Sequence, residues 1–146
     1  MAENSMWVPA TPQDAWSIVA DPRGYAYWVI GADGIESFDG DWPAVGATFH
    51  HAQGVKPVRL HDTSSVLISE PPSRLQLEVR ARPFFVGVVT LTFTASDGGT
   101  RVSIDEKATG GLAGMLPQFA TSPLIGLRNT ESVRRLGAMI WARSTA

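Results

Sequence analysis

The chain has 146 residues, 44% of them hydrophobic, which fits one domain over residues 1–146 with a sizeable core. Twelve lysine and arginine residues stand against 14 aspartate and glutamate residues, so the net charge of −2 argues against a nucleic-acid partner. The absence of cysteine excludes disulfides, thiol nucleophiles and cysteine-ligated metals. Because there is no signal-like start and no apolar run of about 18 residues, we expect a cytoplasmic protein without membrane insertion.

The chain opens with a predicted short strand over residues 4–8 and a predicted helix that begins at Pro12. Thr11 matches a helix N-cap, Pro12 suits the first helical position, and Asp14 adds a carboxylate to the first turn. Trp16 falls on the apolar face of this helix. We therefore expect Trp16 to pack beneath a sheet.

A second start signal follows at Asp21 and Pro22, which repeat the pattern of a cap followed by proline. It predicts another short helix, so that two helices lie between the first two strands. Residues 34–108 read as strands separated by Gly, Pro and Asp, and about seven strands result. Residues 123–143 then read as one long terminal helix. This order predicts a curved antiparallel sheet that grips the terminal helix, with a cavity between them.

Two of the predicted strands alternate strictly between apolar and polar residues. Their apolar members are Leu75, Leu77, Val79 and Ala81 in the first strand and Val89, Leu91 and Phe93 in the second. Such alternation is typical of a sheet with one buried face and one face in water. The turn at Asp97-Gly98-Gly99 joins the second strand to residues 100–108, and it predicts a hairpin.

The terminal helix places a polar amide within an apolar stripe. At about 100° per residue, the stripe consists of Ile125, Val133, Leu136 and Ile140. Asn129 falls at its centre, and an unpaired buried amide costs about 1–3 kcal/mol. Asn129 should therefore find a partner in the protein, in trapped water or in a ligand, and both a structural and a ligand-binding role stay open.

A carboxylate is expected on the same interior side of the sheet. Glu106 shares the alternation of Val102 and Ile104, whereas Asp105 and Lys107 point the other way. A carboxylate that faces a dry interior must be paired, hydrogen-bonded or protonated, and any of these states suits a proton donor or a ligand anchor. The alternative, in which the strand ends or bulges before Glu106 and leaves it in solvent, stays open.

The neighbouring histidines His50 and His51 point to opposite faces if they lie on a strand, so only one can face the interior. Alternation with Phe49 favours His51, which could act as an acid or a base. A metal site is not expected, because no cysteine and no H-E-x-x-H pattern is present. A serine-nucleophile elbow and a phosphate-binding glycine loop are also missing.

Several short motifs, spread over nearly the whole chain, carry a family resemblance. They are Val8-Pro9-Ala10 with Trp16 and Asp21-Pro22, Gly40-Asp41-Trp42-Pro43 with Val45-Gly46, Pro71-Pro72 before Leu75, Gly99-Thr100-Arg101-Val102 with Glu106, and Arg128-Asn129. Together they resemble the polyketide cyclase/dehydrase and lipid transport branch of the SRPBCC superfamily. The resemblance implies the α+β helix-grip fold of START domains and birch-pollen allergens, with a deep apolar cavity for lipids, polyketides or hormones.

The family that the chain resembles includes both carriers and aromatase/cyclases. No established catalytic motif of that family can be carried over to this sequence residue by residue. We expect a cofactor-free carrier or sensor of a small hydrophobic ligand; the alternative is a polyketide cyclase or aromatase/dehydratase that uses Glu106 or His51. Few polar residues face the interior, which favours binding. The expected cavity lining is Phe49, His51, Leu77, Val79, Leu91, Phe93, Ile104, Glu106, Ile125, Asn129 and Val133. The apolar, glycine-punctuated segment 110–121 is interpreted as a lid over the cavity rather than a packed connector.

Overall fold

A computed structural model describes residues 2–21, 32–55, 58–81, 85–111, 115 and 133–142, without the side chains of residues 2–3, 32–38, 51–55, 58–61, 81 and 85. The strands are β1 (Ala2–Val8), β2 (Ala32–Asp39), β3 (Thr48–Val55), β4 (Val58–Glu70), β5 (Arg74–Ala81), β6 (Phe85–Ser96) and β7 (Gly99–Gly110). Helix α1 spans Pro12–Val19. Residues 133–142 are helical and are labelled α2.

The strands form one antiparallel sheet in the order β1-β7-β6-β5-β4-β3-β2. Each strand from β2 to β6 pairs with the next one along the chain, and β1 pairs with β7. The predicted α+β class, an antiparallel sheet combined with helices in the helix-grip manner, is confirmed. The second short helix that was predicted after Asp21 lies outside the described residues, as does the part of the predicted terminal helix before residue 133.

Helix α1 begins as the sequence predicts. The hydroxyl of Thr11 accepts a hydrogen bond from the backbone N–H of Asp14 at 3.2 Å, and Pro12 occupies the first turn. Trp16 is 9% exposed, and its ring meets the ring of Phe93 edge-on, with the centroids 6.1 Å apart. The prediction that Trp16 packs beneath the sheet is therefore confirmed.

The two faces of the sheet differ as the alternation predicts. The buried side chains of the inner face on β5 and β6 are Leu75, Leu77, Val79, Val89, Leu91 and Phe93. On the outer face, the guanidinium of Arg80 donates to the hydroxyls of Thr63 at 2.9 Å and of Ser65 at 3.2 Å. Polar cross-strand contacts thus hold the outer face together, and apolar packing holds the inner face.

The hairpin between β6 and β7 turns at Asp97 and Gly98, whose φ angles are 49° and 77°. Positive φ at both central residues is typical of a type I′ turn, whose twist matches that of the flanking strands. The predicted hairpin is confirmed, and the turn sets the register in which Leu91 lies opposite Ile104.

Helix α2 packs against the inner face of the sheet near β1. Leu136 and Ile140 are fully buried. Gly137 approaches Met6 so closely that a Cβ atom at this position would collide with the thioether of Met6. Because Met6 pairs with Val102 on β7, this contact locates the middle of α2 at the Val102 level of the sheet.

Candidate functional site

Glu106 lies on the inner face of the sheet and is 2% exposed. Its partners in the neighbouring strands are Ala2 on β1 and Val89 on β6. Ile104 and Ala108 precede and follow it on the same face of β7. All four neighbours are uncharged. Because β7 continues to Gly110, the structure decides between the two interpretations of Glu106 in favour of a buried, inward position.

The inner face carries small side chains just beyond Glu106. The strand registers join Ala108, Gly87, Val79, Ser64 and Phe49 into one continuous row across five strands. Gly87 is buried, and Ser64 and Phe49 are fully buried. The row holds a glycine, an alanine and a serine beside the larger Val79 and Phe49, whereas the preceding row holds Glu106, Val89, Leu77 and Val66. The part of the row on β7 and β6 therefore has small side chains, next to a carboxylate.

The histidines divide between the two faces of β3. Nε2 of His50 lies 2.9 Å from Oδ2 of Asp39, and the side chain of His50 is 41% exposed. His50 therefore points away from the face to which buried Phe49 belongs. The register pairs the backbone of His51 with that of Asp62 on β4. The side chain of His51 lies outside the described residues, so its inward orientation stays a prediction.

Most of the expected lining residues that the structure describes are buried together. These residues are Phe49, Leu77, Val79, Leu91, Phe93, Ile104, Glu106 and Val133. Ile125 and Asn129 lie outside the described residues. Of the segment 110–121, the structure describes Gly110, Gly111 and Met115, and the remainder of the predicted lid also lies outside. Contact of any of these residues with a ligand stays a prediction.

Sequence reasoning missed two polar positions on β4. Ser64 is fully buried opposite Val79, and Asp62 belongs to the same face two residues earlier. Oδ1 of Asp62 accepts a hydrogen bond from the backbone N–H of Thr63 at 2.8 Å. Counting back from Val66 in steps of two would have located both residues on the inner face. Because both residues are polar, however, this part of β4 does not show an alternation between apolar and polar side chains.

Aromatic residues cover two positions of the inner face. The ring of Trp42 meets the ring of Phe49 edge-on, with the centroids 4.8 Å apart. Its indole N–H donates a hydrogen bond to the carbonyl of Val19, the last residue of α1, at 3.1 Å. Trp16 covers Phe93 from the same helix. Helix α1 and Trp42 are thus in contact with each other and cover Phe93 and Phe49 on the inner face.

Within the described residues, no group of three or more His, Asp or Glu side chains is arranged to hold a metal ion. The helices in the described part of the chain are too short or too polar to span a membrane. The polar side chains described on the inner face include the carboxylates of Glu106 and Asp62 and the hydroxyl of Ser64, among apolar side chains.

An antiparallel sheet with helices packed on its inner face is the architecture of a helix-grip protein. The family described as polyketide cyclase/dehydrase and lipid transport matches residues 2–138, and the chain belongs to this family of the SRPBCC superfamily. No curated protein sequence matches the chain.

Solved structures share the fold at low sequence identity. TTHA0849 from Thermus thermophilus is 15% identical, with 98% of each chain covered and a TM-score of 0.72. The allergen Ara h 8.0201 is 10% identical, with 96% of each chain covered and a TM-score of 0.73. The di-domain ARO/CYC StfQ from the steffimycin biosynthetic pathway is 9% identical, with a TM-score of 0.74 over 99% of this chain and 51% of StfQ. These similarities establish the fold alone.

Proposed function

We propose that the protein binds a small hydrophobic ligand between the inner face of the sheet and the C-terminal helix, as a carrier or sensor. The observation that carries this proposal is the buried carboxylate of Glu106 on a largely apolar wall. Replacing a whole buried ion pair by apolar residues is often neutral or stabilising, so a buried charge is weak evidence for a stabilising role. The position of this carboxylate therefore favours a role in ligand binding.

The row beside Glu106 supports the same proposal. Gly87 adds no side chain where the neighbouring row on the same strand carries Val89, and Ala108 adds only a methyl group next to Glu106. Protein interiors are normally filled to a high packing density, so a ligand is a suitable occupant for space that short side chains leave. The family includes lipid transport in its description, which agrees with an apolar ligand.

Two measurements on the wild-type protein test the proposal. Native mass spectrometry after gentle purification should show an additional small molecule bound to the chain. Titration with the neutral fluorescent probe N-phenyl-1-naphthylamine should give saturable binding of about one probe per chain, because an apolar interior site excludes water from the probe. Absence of a co-purified molecule together with non-saturable probe fluorescence would contradict the proposal.

Asn129→Leu should change which ligands bind while the fold stays intact. The amide is expected to orient the polar end of a ligand, so its removal should weaken binding of polar-ended ligands by about fivefold or more and spare fully apolar ones. Dissociation constants across a ligand panel, with circular dichroism as the folding check, measure the effect. Gln13→Leu, at an exposed amide on α1, is the matched control. If Asn129→Leu has the same ligand preferences as the wild-type protein, Asn129 is not part of the binding site.

A second candidate function is that of a polyketide cyclase or dehydratase. The buried position of Glu106 and the register of His51 opposite Asp62 favour it, since acid–base groups work best when held away from bulk water. The base would remove a proton from a methylene between two carbonyls. The carbanion would then attack a third carbonyl carbon, and the same group would return the proton to the resulting alkoxide. No cofactor is required for this step.

If the protein is such a cyclase, Glu106→Gln or His51→Ala should lower turnover of a poly-β-keto thioester analogue by about 10²–10⁴-fold. Chromatographic detection of the cyclised product measures the rate. Asp105→Asn removes the same charge one residue away on the outer face and should retain wild-type turnover. Wild-type rates in both site variants would exclude the two residues from the mechanism.

A further inference from the structure

Helix α2 contacts β1 through the thioether of Met6. The side chain of Met6 is half-buried and packs against the hydrophobic core. A Cβ atom at Gly137 would overlap Sδ of Met6 and would lie 3.0 Å from its Cε atom. The sulfur atom therefore lies against the backbone of α2, in the space that a side chain at Gly137 would fill.

Gly137 belongs to the side of α2 that faces the sheet. The buried residues of this helix are Val133, Leu136 and Ile140, and Gly137 shares their side because it follows Val133 by four positions. Strand β1 is the edge strand of the sheet, next to β7. The contact between Met6 and Gly137 thus joins an edge strand to the helix, and a chemical change at the sulfur atom acts on both.

Oxidation by a peroxide is the chemical change to which a thioether is open. Hydrogen peroxide transfers one oxygen atom to Sδ: an S–O bond forms, the O–O bond breaks and water is released. The sulfur loses two electrons, which reduce the peroxide. The product, methionine sulfoxide, is polar where the thioether was apolar, and methionine sulfoxide reductases convert it back.

The contact with α2 accommodates the sulfoxide oxygen poorly. The close approach of the Gly137 backbone leaves little room beside Sδ. Within an α-helix, the N–H of Gly137 is directed at the carbonyl of Val133, so it is not available to the new oxygen. Burying a polar oxygen without a hydrogen-bond donor is unfavourable. The sulfoxide is therefore more stable when α2 has moved away from β1.

We propose that Met6 is an oxidation-sensitive contact: a peroxide converts it to the sulfoxide, α2 loosens from β1, and a bound ligand is released. The half-buried position gives the oxidant access to the side chain, and the contact with Gly137 couples the oxidation state of the sulfur to the position of α2. Release of the ligand rests on the proposed function, whereas the loosening of α2 does not.

Treatment of the wild-type chain with hydrogen peroxide tests the proposal, with peptide mass spectrometry to locate the added oxygen. Met115 is 80% exposed and shows that the oxidant has acted. Met6 should also be oxidised in the folded protein, and the Tm should fall by about 5 °C or more. Hydrogen exchange should become faster in residues 133–142 but not in α1. Oxidation of Met115 without oxidation of Met6 would overturn the inference.

Variants assign the effect to one of the four methionines. Met6→Leu keeps an apolar side chain of similar volume and should hold its Tm under peroxide. Met115→Leu, at an exposed position, and Met139→Leu, at a half-buried position on α2, should lose stability as the wild type does. An equal loss in Met6→Leu would refute the proposal. If Met6→Leu does not fold, recovery of the wild-type Tm and exchange rates after treatment with the reductases decides the question, and failure to recover counts against Met6.

Binding of N-phenyl-1-naphthylamine separates this inference from the proposed function. Oxidation should weaken probe binding by about fivefold or more in the wild type and leave it unchanged in Met6→Leu. Unchanged affinity in the oxidised wild type would refute ligand release and leave the carrier in place. If the untreated protein binds no probe, the proposed function fails, and the Tm and exchange measurements still decide whether Met6 controls the position of α2.

Discussion

Trp16→Ala should lower the free energy of unfolding by about 3–5 kcal/mol, the range found when large aromatic residues in cores are truncated. Trp16 is 9% exposed, and its ring packs edge-on against Phe93 at a centroid distance of 6.1 Å. Removing the indole leaves a cavity between α1 and β6 and abolishes the aromatic pair. Since domains of this kind are stable by about 5–15 kcal/mol, the loss is a large share of the total.

Urea-induced unfolding followed by circular dichroism measures this change. Trp141→Ala is the matched control, because the side chain of Trp141 on α2 is 54% exposed. Exposed substitutions usually change stability by about 0.5 kcal/mol or less, so the control should unfold close to the wild-type midpoint. Similar losses in the two variants would show that Trp16 does not anchor α1 to the sheet.

Gly99→Ala should destabilise the protein by about 2–3 kcal/mol, as overpacking of a tight site does. A Cβ atom at Gly99 would collide with the backbone carbonyl of Val8 and with the ring of Trp7. The carbonyl belongs to the β1 backbone that pairs with β7, so it cannot move aside as a flexible side chain would. The expected consequence is displacement of β1, and with it of the Met6 contact to α2.

The adjacent glycine provides the control for this prediction. Gly98 has a φ of 77°, and no atom lies within 4 Å of a Cβ atom built there. Gly98→Asn should therefore cost less than about 1 kcal/mol, because asparagine tolerates the left-handed conformation. Thermal unfolding of both variants gives the comparison. If Gly99→Ala is as stable as Gly98→Asn, the close approach of β1 at Gly99 is not a constraint on the fold.

Membership of the family defines the architecture but not the ligand, because one fold supports many functions. The features that distinguish this chain are on its inner face. Glu106 supplies a buried carboxyl group, Ser64 supplies a buried hydroxyl, and Gly87 adds no side chain to the row in which Ser64 lies. We expect ligand selection to depend on these side chains rather than on the fold.

Features that depend on neighbours along the chain could be predicted from the amino-acid sequence alone. The cap at Thr11, the turn at Asp97 and Gly98, and the alternation on β5 and β6 were all predicted and are present. The cap and the turn are set by local backbone preferences. The alternation is a periodicity of two, which a single strand displays without reference to the rest of the molecule. The same alternation, applied to β7, predicted that the side chain of Glu106 faces the interior.

Tertiary structure decided the features that join distant parts of the chain. The indole of Trp42 reaches the carbonyl of Val19, and Gly137 lies against Met6, although nothing in either local pattern identifies the partner. The burial of Ser64 likewise depends on β4 lying between β3 and β5. Packing between elements selects such partners because burial and hydrogen bonding depend on distance in space, and separation along the chain gives no measure of that distance.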